Sequence, residues 1–267
     1  MAGSSKGFRP FFCPDDFSTT VRCALQVIAL LRSIATYAAV SLYVLLVGSP
    51  FVIIAILIRK PLLLYKVGLL GVRLGQRLSG IRVRVQGSER IQRNRAAVYA
   101  VNHTSNVEPP ILYSVLSELF PRLRIVYKAE LRKLPVLTQA FDLAGFVPLQ
   151  RGNPEQSLPA VEKAGEALRE GNSFLIFPEG TRSRTGALLP FKKGGFIMAI
   201  KGHAPVVPVA IKGARDAMHK GSLVINPVVI DVIFGEPVET AGLTLADRDN
   251  LIAEVRRRVQ ALLGLPA

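Results

Sequence analysis

A run of 26 residues without a single charge, from Ser33 to Ile58, constrains the fold of this chain most strongly. A helix of about 20 apolar residues is long enough to cross a bilayer, so the run predicts a membrane-embedded segment. Gly48, Ser49 and Pro50 fall inside it, and proline removes a backbone donor and clashes with the preceding helical turn. Two interpretations follow: one kinked transmembrane helix, or two helices that form a hairpin in one leaflet.

The charge balance indicates an anionic partner. The chain has 34 basic and 19 acidic residues, which gives a formal net charge of +15. Ten basic residues and one acidic residue, Glu89, lie between Arg59 and Arg95, directly after the apolar run. Basic residues beside a hydrophobic segment favour the anionic cytoplasmic leaflet. We therefore expect a membrane-anchored protein with its catalytic part on the cytoplasmic face. We expect no nucleic-acid partner, because no nucleic-acid-binding motif accompanies the charge and such a partner would not explain the apolar run.

Metal and disulfide chemistry find no support in the sequence. Cys13 and Cys23 both precede the apolar run, and His103, His203 and His219 are far apart along the chain. This spacing predicts neither a disulfide framework nor a cluster of metal ligands. We expect no metal site and no resident cofactor.

Three regions are predicted: an irregular segment at residues 1–20, a helical membrane anchor at residues 21–79 and an α/β domain at residues 80–267. Residues 81–85 alternate apolar and basic side chains, as a half-buried strand does. Short apolar runs and helical patterns then alternate to the end of the chain, where Thr244 and Asp247 form a capping box before the last helix. The alternation predicts a mixed, largely parallel sheet flanked by helices.

The segment NHTSNVE (Asn102–Glu108) places an imidazole and a carboxylate five positions apart. On a continuous helix His103 and Glu108 would point about 140° apart, so they can meet only where the backbone is not helical. Glu108 precedes a proline, which disfavours the helical conformation there, and we expect it just before a helix N-terminus. A carboxylate on one ring nitrogen fixes the tautomer and makes the other nitrogen a better base. The alternative is a helix-capping carboxylate beside an incidental loop histidine.

The segment FPEGTRSR (Phe177–Arg184) lies about seventy residues further on and follows a predicted buried strand. Ligands of open α/β sheets bind at the carboxyl ends of the strands. Gly180 allows a tight turn whose backbone N–H groups could stabilise an oxyanion, and Arg182 offers a planar fork for a phosphate. The alternative is a structural turn with exposed arginines.

Together the two segments resemble the conserved blocks of the glycerophospholipid acyltransferases, with the 1-acylglycerol-3-phosphate acyltransferases as the nearest branch. Four blocks occur in the family's order, and KAEL (Lys128–Leu131) and FGEP (Phe234–Pro237) also lie where the family has similar segments. The resemblance covers roughly residues 81–240. The four blocks are NHTSNVE, GFVPLQR (Gly145–Arg151), FPEGTRSR and APVVPVAI (Ala204–Ile211).

The resemblance implies transfer of a fatty acyl group from an acyl thioester, acyl-CoA or acyl carrier protein, to the free hydroxyl of a lysophospholipid. By position, His103 would be the general base and Glu108 its orienting carboxylate. The residues implied in acceptor binding are Lys128, Arg151, Glu179, Gly180, Thr181 and Arg182. Other lysophospholipid acceptors, or a non-catalytic lipid-binding relative, remain alternatives.

The sequence departs from the family pattern at Glu108, where aspartate is usual. One extra methylene lengthens the reach by about 1.3 Å, and a misplacement of that size costs on the order of 100-fold in rate if nothing compensates. The other blocks are intact, so we expect an active enzyme whose loop is built around glutamate. On sequence grounds, Glu108→Asp retains activity and Glu108→Ala loses most of it.

Overall fold

The computed structural model describes residues 17–150 and 154–265, and it begins with a helical hairpin. Helix α1 (Phe17–Tyr43) starts four residues before the predicted anchor and continues through a π-helical turn (Val44–Gly48) into α2 (Ser49–Leu57). Helix α3 (Pro61–Ser79) then folds back along both. In the described part of the chain, residues 26–57 form the one helical stretch long and apolar enough to cross a membrane.

Pro50 does not break this helix. The wide turn before it closes with a hydrogen bond from Ser49 N–H to Val44 O, and Pro50 then lies in the first turn of α2, where its missing N–H costs little. The apolar run is therefore one helix with a local irregularity, and the chain does not turn back at Pro50. The chain reverses only at the end of the apolar run, at residues 58–60.

A seven-stranded sheet follows, and it confirms the predicted mixed, largely parallel arrangement. Its order is β1-β7-β6-β2-β5-β3-β4. The five strands from β6 to β4 are parallel, whereas β7 is antiparallel to β6 and parallel to β1. The strands are β1 (Arg82–Gln86), β2 (Val98–Val101), β3 (Leu123–Lys128), β4 (Val147–Leu149), β5 (Ser173–Ile176), β6 (Val206–Lys212) and β7 (Val229–Phe234).

Helices cover both faces of the sheet, because alternate residues of the central strands point to opposite sides. Tyr99 and Val101 of β2 join a core with the helix after β2, and Val98 and Ala100 join a second core on the other face. Buried residues of three later helices complete that second core. The helices of the domain are α4 (Glu108–Val115), α5 (Pro135–Leu143), α6 (Pro154–Arg169), α7 (Gly194–Lys201), α8 (Ala214–Ala217) and α9 (Arg248–Leu263).

Element boundaries differ from the predictions at two places that affect the site. Helix α4 begins at Glu108 itself, not after it, so the carboxylate projects from the first residue of a helix. Helix α5 was not predicted, and it lies against α2 beside the anchor. The capping box of Thr244 and Asp247 is present, with a short 3-10 turn before α9.

Candidate active site

The two key segments meet at one edge of the sheet. Strands β2 and β5 are adjacent and parallel, so the loops that leave their carboxyl ends emerge side by side. These loops are the segments NHTSNVE and FPEGTRSR, called block one and block three below. The edge is the position at which ligands bind in open α/β sheets.

Block one brings His103 and Glu108 together. His103 Nδ1 lies 2.6 Å from Glu108 Oε2, although the residues are five positions apart. The backbone between them is irregular until α4 begins, so the separation expected on a continuous helix does not apply. A carboxylate only accepts hydrogen bonds, so in the neutral ring this contact places the proton on Nδ1 and the lone pair on Nε2.

Glu108 is completely buried, and every polar contact it makes is within block one. Oε1 accepts from Thr104 N at 2.9 Å, Thr104 Oγ1 at 2.6 Å and Ser105 N at 3.0 Å. Oε2 faces His103 and also lies 3.1 Å from Thr104 N. The loop is thus folded around the longer side chain of glutamate. A glutamate can therefore occupy position 108, because three donors of the loop are placed to bind its longer side chain.

The ring of His103 is fixed on a second side by Phe177. The two ring centroids are 4.1 Å apart and the planes are inclined by 28°. With Nδ1 bound and one face covered, Nε2 is left as the ring nitrogen without a protein partner among the described residues. The His103 side chain is 16 % exposed, so Nε2 can reach a bound substrate.

Glu179 ties block three to block one. Its Oε1 accepts from His103 N–H at 2.7 Å and its Oε2 accepts from Leu189 N–H at 2.9 Å. Burial raises the pKa of Glu179, and these two backbone hydrogen bonds act in the opposite direction. A further bond from Ser183 N–H to His103 O, 2.8 Å long, closes the same junction. Both oxygens of Glu179 are engaged inside the protein, and the substrate contact predicted for it stays a prediction.

Gly180 forms a tight turn that only glycine fits. Its φ is +68°, and its N–H donates to Phe177 O at 2.9 Å. A Cβ at this position would lie 2.8–3.0 Å from the end of the Lys192 side chain, which covers the turn. The Gly180 N–H is already used, so the oxyanion donor expected here would have to be another group.

Arg182 and Thr181 leave their side chains open to solvent or ligand. The Arg182 side chain makes no hydrogen bond or ion pair within the described residues, while its carbonyl oxygen accepts from Lys220 Nζ at 2.9 Å. Thr181 is exposed. An arginine anchored by its backbone with an unpaired guanidinium suits a phosphate ligand.

The remaining predicted residues are less informative. Lys128 ends β3, next to β5 in the sheet, and pairs with Glu130 at 3.1 Å. Arg151 lies outside the described residues. Leu149, two residues before it in the chain, ends β4 at the same edge as β2 and β5.

Several supporting contacts were not anticipated. Asn102 clamps β6: its amide donates to Ile211 O at 3.1 Å and its oxygen accepts from Ile211 N–H at 2.8 Å. Ser105 Oγ donates to Met218 O at 2.7 Å. Asn102 and Ser105 stand inside block one, where their polarity beside a buried strand was a usable signal. No local pattern marks Met218 or Lys220 as partners.

An apolar cavity of about 800 Å³ opens next to block one. Its wall includes Val107 and Pro110, which flank Glu108 at the start of α4. The opposite wall comes from the helical hairpin, including Tyr43 and Gly71, and a third side from α5. The cavity therefore lies between the start of α4 and the apolar N-terminal helices, and its lining includes Val107 of block one.

A histidine with a free ring nitrogen, an adjoining loop that carries an unpaired guanidinium and a neighbouring apolar cavity together suit a substrate that has a hydroxyl, an anion and a hydrocarbon chain. A site with these features suits an enzyme that transfers a group to a lipid. The family model described as Acyltransferase matches residues 82–212, which include both blocks.

Individual relatives agree with this family. A 1-acyl-sn-glycerol-3-phosphate acyltransferase of Limnanthes douglasii is 36% identical over 175 residues, 65% of this chain and 60% of that protein. The 1-acyl-sn-glycerol-3-phosphate acyltransferase beta of Homo sapiens is 31% identical over 182 residues, 68% of this chain and 64% of that protein. The matched region thus spans about three fifths of the length of these curated relatives.

A solved structure shows the same architecture. The 1-acyl-sn-glycerophosphate (LPA) acyltransferase PlsC from Thermotoga maritima superposes with a TM-score of 0.70 at 26% identity. The match covers 89% of this chain and 98% of that one, so it includes most of the helical hairpin as well as the sheet. The chain thus contains an acyltransferase domain, and its relatives and this solved structure support the glycerophospholipid acyltransferase family.

Proposed function

We propose that this protein transfers a fatty acyl group from an acyl thioester to the free hydroxyl of 1-acylglycerol-3-phosphate, giving phosphatidic acid. The observation that carries the proposal is the 2.6 Å contact between His103 Nδ1 and the buried Glu108 carboxylate. The similarity to 1-acyl-sn-glycerol-3-phosphate acyltransferases supports the acceptor, and the unpaired Arg182 supports an anionic head group.

The chemistry needs no covalent enzyme intermediate. His103 Nε2 removes the proton from the acceptor hydroxyl while the hydroxyl oxygen attacks the thioester carbon. The new carbon–oxygen bond forms, the carbon–sulfur bond breaks, and the imidazolium returns its proton to the thiolate. Glu108 stabilises the charged ring and holds its orientation throughout. The products are an ester and a free thiol, with CoA or acyl carrier protein as the proposed carrier.

Substrate binding divides between the two blocks. Arg182 grips the phosphate of the acceptor, with Lys128 and Arg151 as further proposed ligands and Gly180 and Thr181 shaping the turn. The apolar cavity beside Val107 takes a hydrocarbon chain, because its walls are predominantly apolar. In this arrangement the reacting hydroxyl lies between the guanidinium and the cavity, at Nε2 of His103.

The helical hairpin attaches the enzyme to a membrane in this proposal. Residues 26–57 are long and apolar enough to cross a bilayer, and many of their large side chains are exposed. The basic residues that follow favour the cytoplasmic face for the catalytic domain. A lipid acceptor could then enter the site from the bilayer itself.

Thiol release from acyl-CoA by the detergent-solubilised protein, with and without lysophosphatidate, tests the proposal. We expect acceptor-dependent release that falls about 10²–10⁴-fold in His103→Ala, because a general base contributes a factor of that order. His203→Ala, which changes a histidine remote from block one in the chain, is the matched control and should keep its rate. Thiol release in the presence of other lysophospholipids but not of lysophosphatidate would mean that the acceptor is a different lysophospholipid. No release with any acceptor or donor would favour a non-catalytic lipid-binding protein.

A further inference from the structure

A second pocket, separate from the active site, lies where the helical hairpin meets the sheet. Its volume is about 570 Å³ and its wall contains three arginines from three different elements, Arg32, Arg77 and Arg82. No acidic residue is among its described lining residues. None of the three guanidinium groups has a hydrogen bond or ion pair within the part of the chain that the structure describes. We call this the arginine pocket.

The local backbone is shaped to bring these cations together. Arg77 lies in the last turn of α3, and Gly80 ends that helix in the left-handed conformation with φ of +75°. A Cβ on Gly80 would lie 2.7 Å from Arg32 Nη1, so the absence of a side chain lets the Arg32 guanidinium reach the turn. Arg82 then opens β1 two residues later. Three like charges that line one pocket repel one another, and an anion bound among them would offset that repulsion.

The position of the pocket along the hairpin indicates which anion it meets. Arg32 is the last charged residue before the uncharged run of Ser33–Ile58, so on the proposed membrane attachment it lies near one end of the apolar helix, where its long side chain reaches the headgroups. Leu31 and Ile34 beside it are 60% and 57% exposed, as expected of side chains that face lipid. Lipid phosphates lie at this depth of a bilayer.

The arginine pocket and the apolar cavity are also neighbours. Gln76 and Ile81 contribute to the walls of both. A molecule with its phosphate among the arginines would consequently have apolar surface within reach on either side, along α1 or toward the cavity. A soluble phosphate would gain only the charged contacts.

We propose that the arginine pocket binds the phosphate of an anionic membrane phospholipid as an accessory site, distinct from the acceptor site at Arg182. This inference rests on the proposed membrane attachment. Guanidinium groups bind phosphate through paired, charge-assisted hydrogen bonds. A bound headgroup would fix the hairpin against the domain, and with it the wall of the apolar cavity.

The test compares two variants of equal charge in vesicle flotation without any acyl donor. Arg77→Gln/Arg82→Gln removes two pocket arginines. Arg73→Gln/Arg84→Gln removes two exposed arginines from the same two elements, one helical turn and two strand residues away, and neither lines the pocket. The vesicles are phosphatidylcholine alone and phosphatidylcholine with phosphatidylglycerol.

We expect equal binding of wild type and both variants to neutral vesicles. The gain from phosphatidylglycerol should fall at least about tenfold more in the pocket variant than in the control, because charged hydrogen bonds are lost as well as net charge. Equal losses in the two variants would mean diffuse attraction and overturn the proposal. Absence of wild-type binding to either vesicle would overturn both the pocket and the membrane attachment, whereas acyl transfer is measured separately.

Two further measurements test the choice of ligand and guard against misfolding of the double variant. If inorganic phosphate raises the Tm of wild type but not of the pocket variant, while flotation is equal, the site takes free phosphate and the lipid assignment is wrong. If the double variant fails to fold by circular dichroism, the single variants Arg82→Gln and Arg84→Gln repeat the comparison at exposed positions of β1. The same ordering is expected there, and its reversal would overturn the proposal.

Discussion

Block one and block three lie side by side, yet they use their polar groups in opposite ways. In block one, Glu108 is buried and its acceptors are filled by His103, Thr104 and Ser105. In block three, the side chains of Thr181 and Arg182 make no contact among the described residues that would occupy them. The first block is a closed network that fixes one nitrogen, and the second is an open surface on which two polar side chains are left unpaired by the described residues. Block one should therefore set the rate of chemistry and block three the affinity for the acceptor.

Glu179 is an exception to this difference between the two blocks. It belongs to block three by sequence, but it is 3% exposed and holds the backbone of His103. Its contacts resemble those of Glu108 more than those of Arg182. Position in a motif therefore does not decide whether a charged residue binds substrate or supports the site.

The largest effect on turnover is expected from removing the Glu108 carboxylate from block one. Glu108→Ala leaves His103 Nδ1 and three loop donors without their acceptor, and we expect the turnover number to fall about 10²–10⁴-fold with little change in acceptor KM. Glu108→Asp should lie between this variant and wild type. Its carboxylate falls short by about 1.3 Å of donors that are all placed for glutamate, which replaces the sequence-based expectation of retained activity with one of partial loss. Steady-state acyl transfer measures both, and an aspartate variant as fast as wild type would show that the loop adjusts freely.

The open surface should respond in KM instead. Arg182→Gln removes a charge-assisted contact to the acceptor phosphate, and we expect acceptor KM to rise about 10–100-fold with turnover nearly unchanged. Arg184→Gln, two residues away on the same exposed segment, is the matched control and should change KM by less than a factor of about three. If both variants lost turnover equally and kept KM, block three would not be the binding half.

The smallest effect on chemistry and the clearest effect on stability are expected at Glu179. Glutamine offers one oxygen where His103 N–H and Leu189 N–H need two, so one buried donor loses its partner. That costs about 1–3 kcal/mol and should lower Tm by about 2–12 °C. Calorimetry on Glu179→Gln, with the exposed Glu166→Gln as control, measures it. An unchanged Tm with a raised acceptor KM would mean that Glu179 contacts the acceptor and does not support the fold.

Patterns within short stretches predicted much of this molecule. The spacing of apolar residues located the strands and several helices. The polar segments that follow two of the strands placed His103 and Arg182 at one edge of the sheet. The sequence could not show that α4 begins at Glu108, because a proline at the next position excludes helix in most contexts but is tolerated in a first turn. Nor could it show Lys192 over Gly180 or Lys220 on Arg182, since these contacts depend on how distant loops pack. The helix through Pro50 required a π turn that no local residue specifies.

The most direct test of the base assignment is acyl transfer by Glu108→Gln. Three donors face Oε1 of Glu108, so the glutamine oxygen must turn toward them and its amide must turn toward His103. Nδ1 would then accept a hydrogen bond, the proton would move to Nε2, and the ring could no longer take a proton from the hydroxyl. We predict a fall in turnover of about 10³–10⁴-fold with the acceptor KM and the fold unchanged. Turnover within a few-fold of wild type would contradict the role of His103 and Glu108 as a base and its orienting carboxylate.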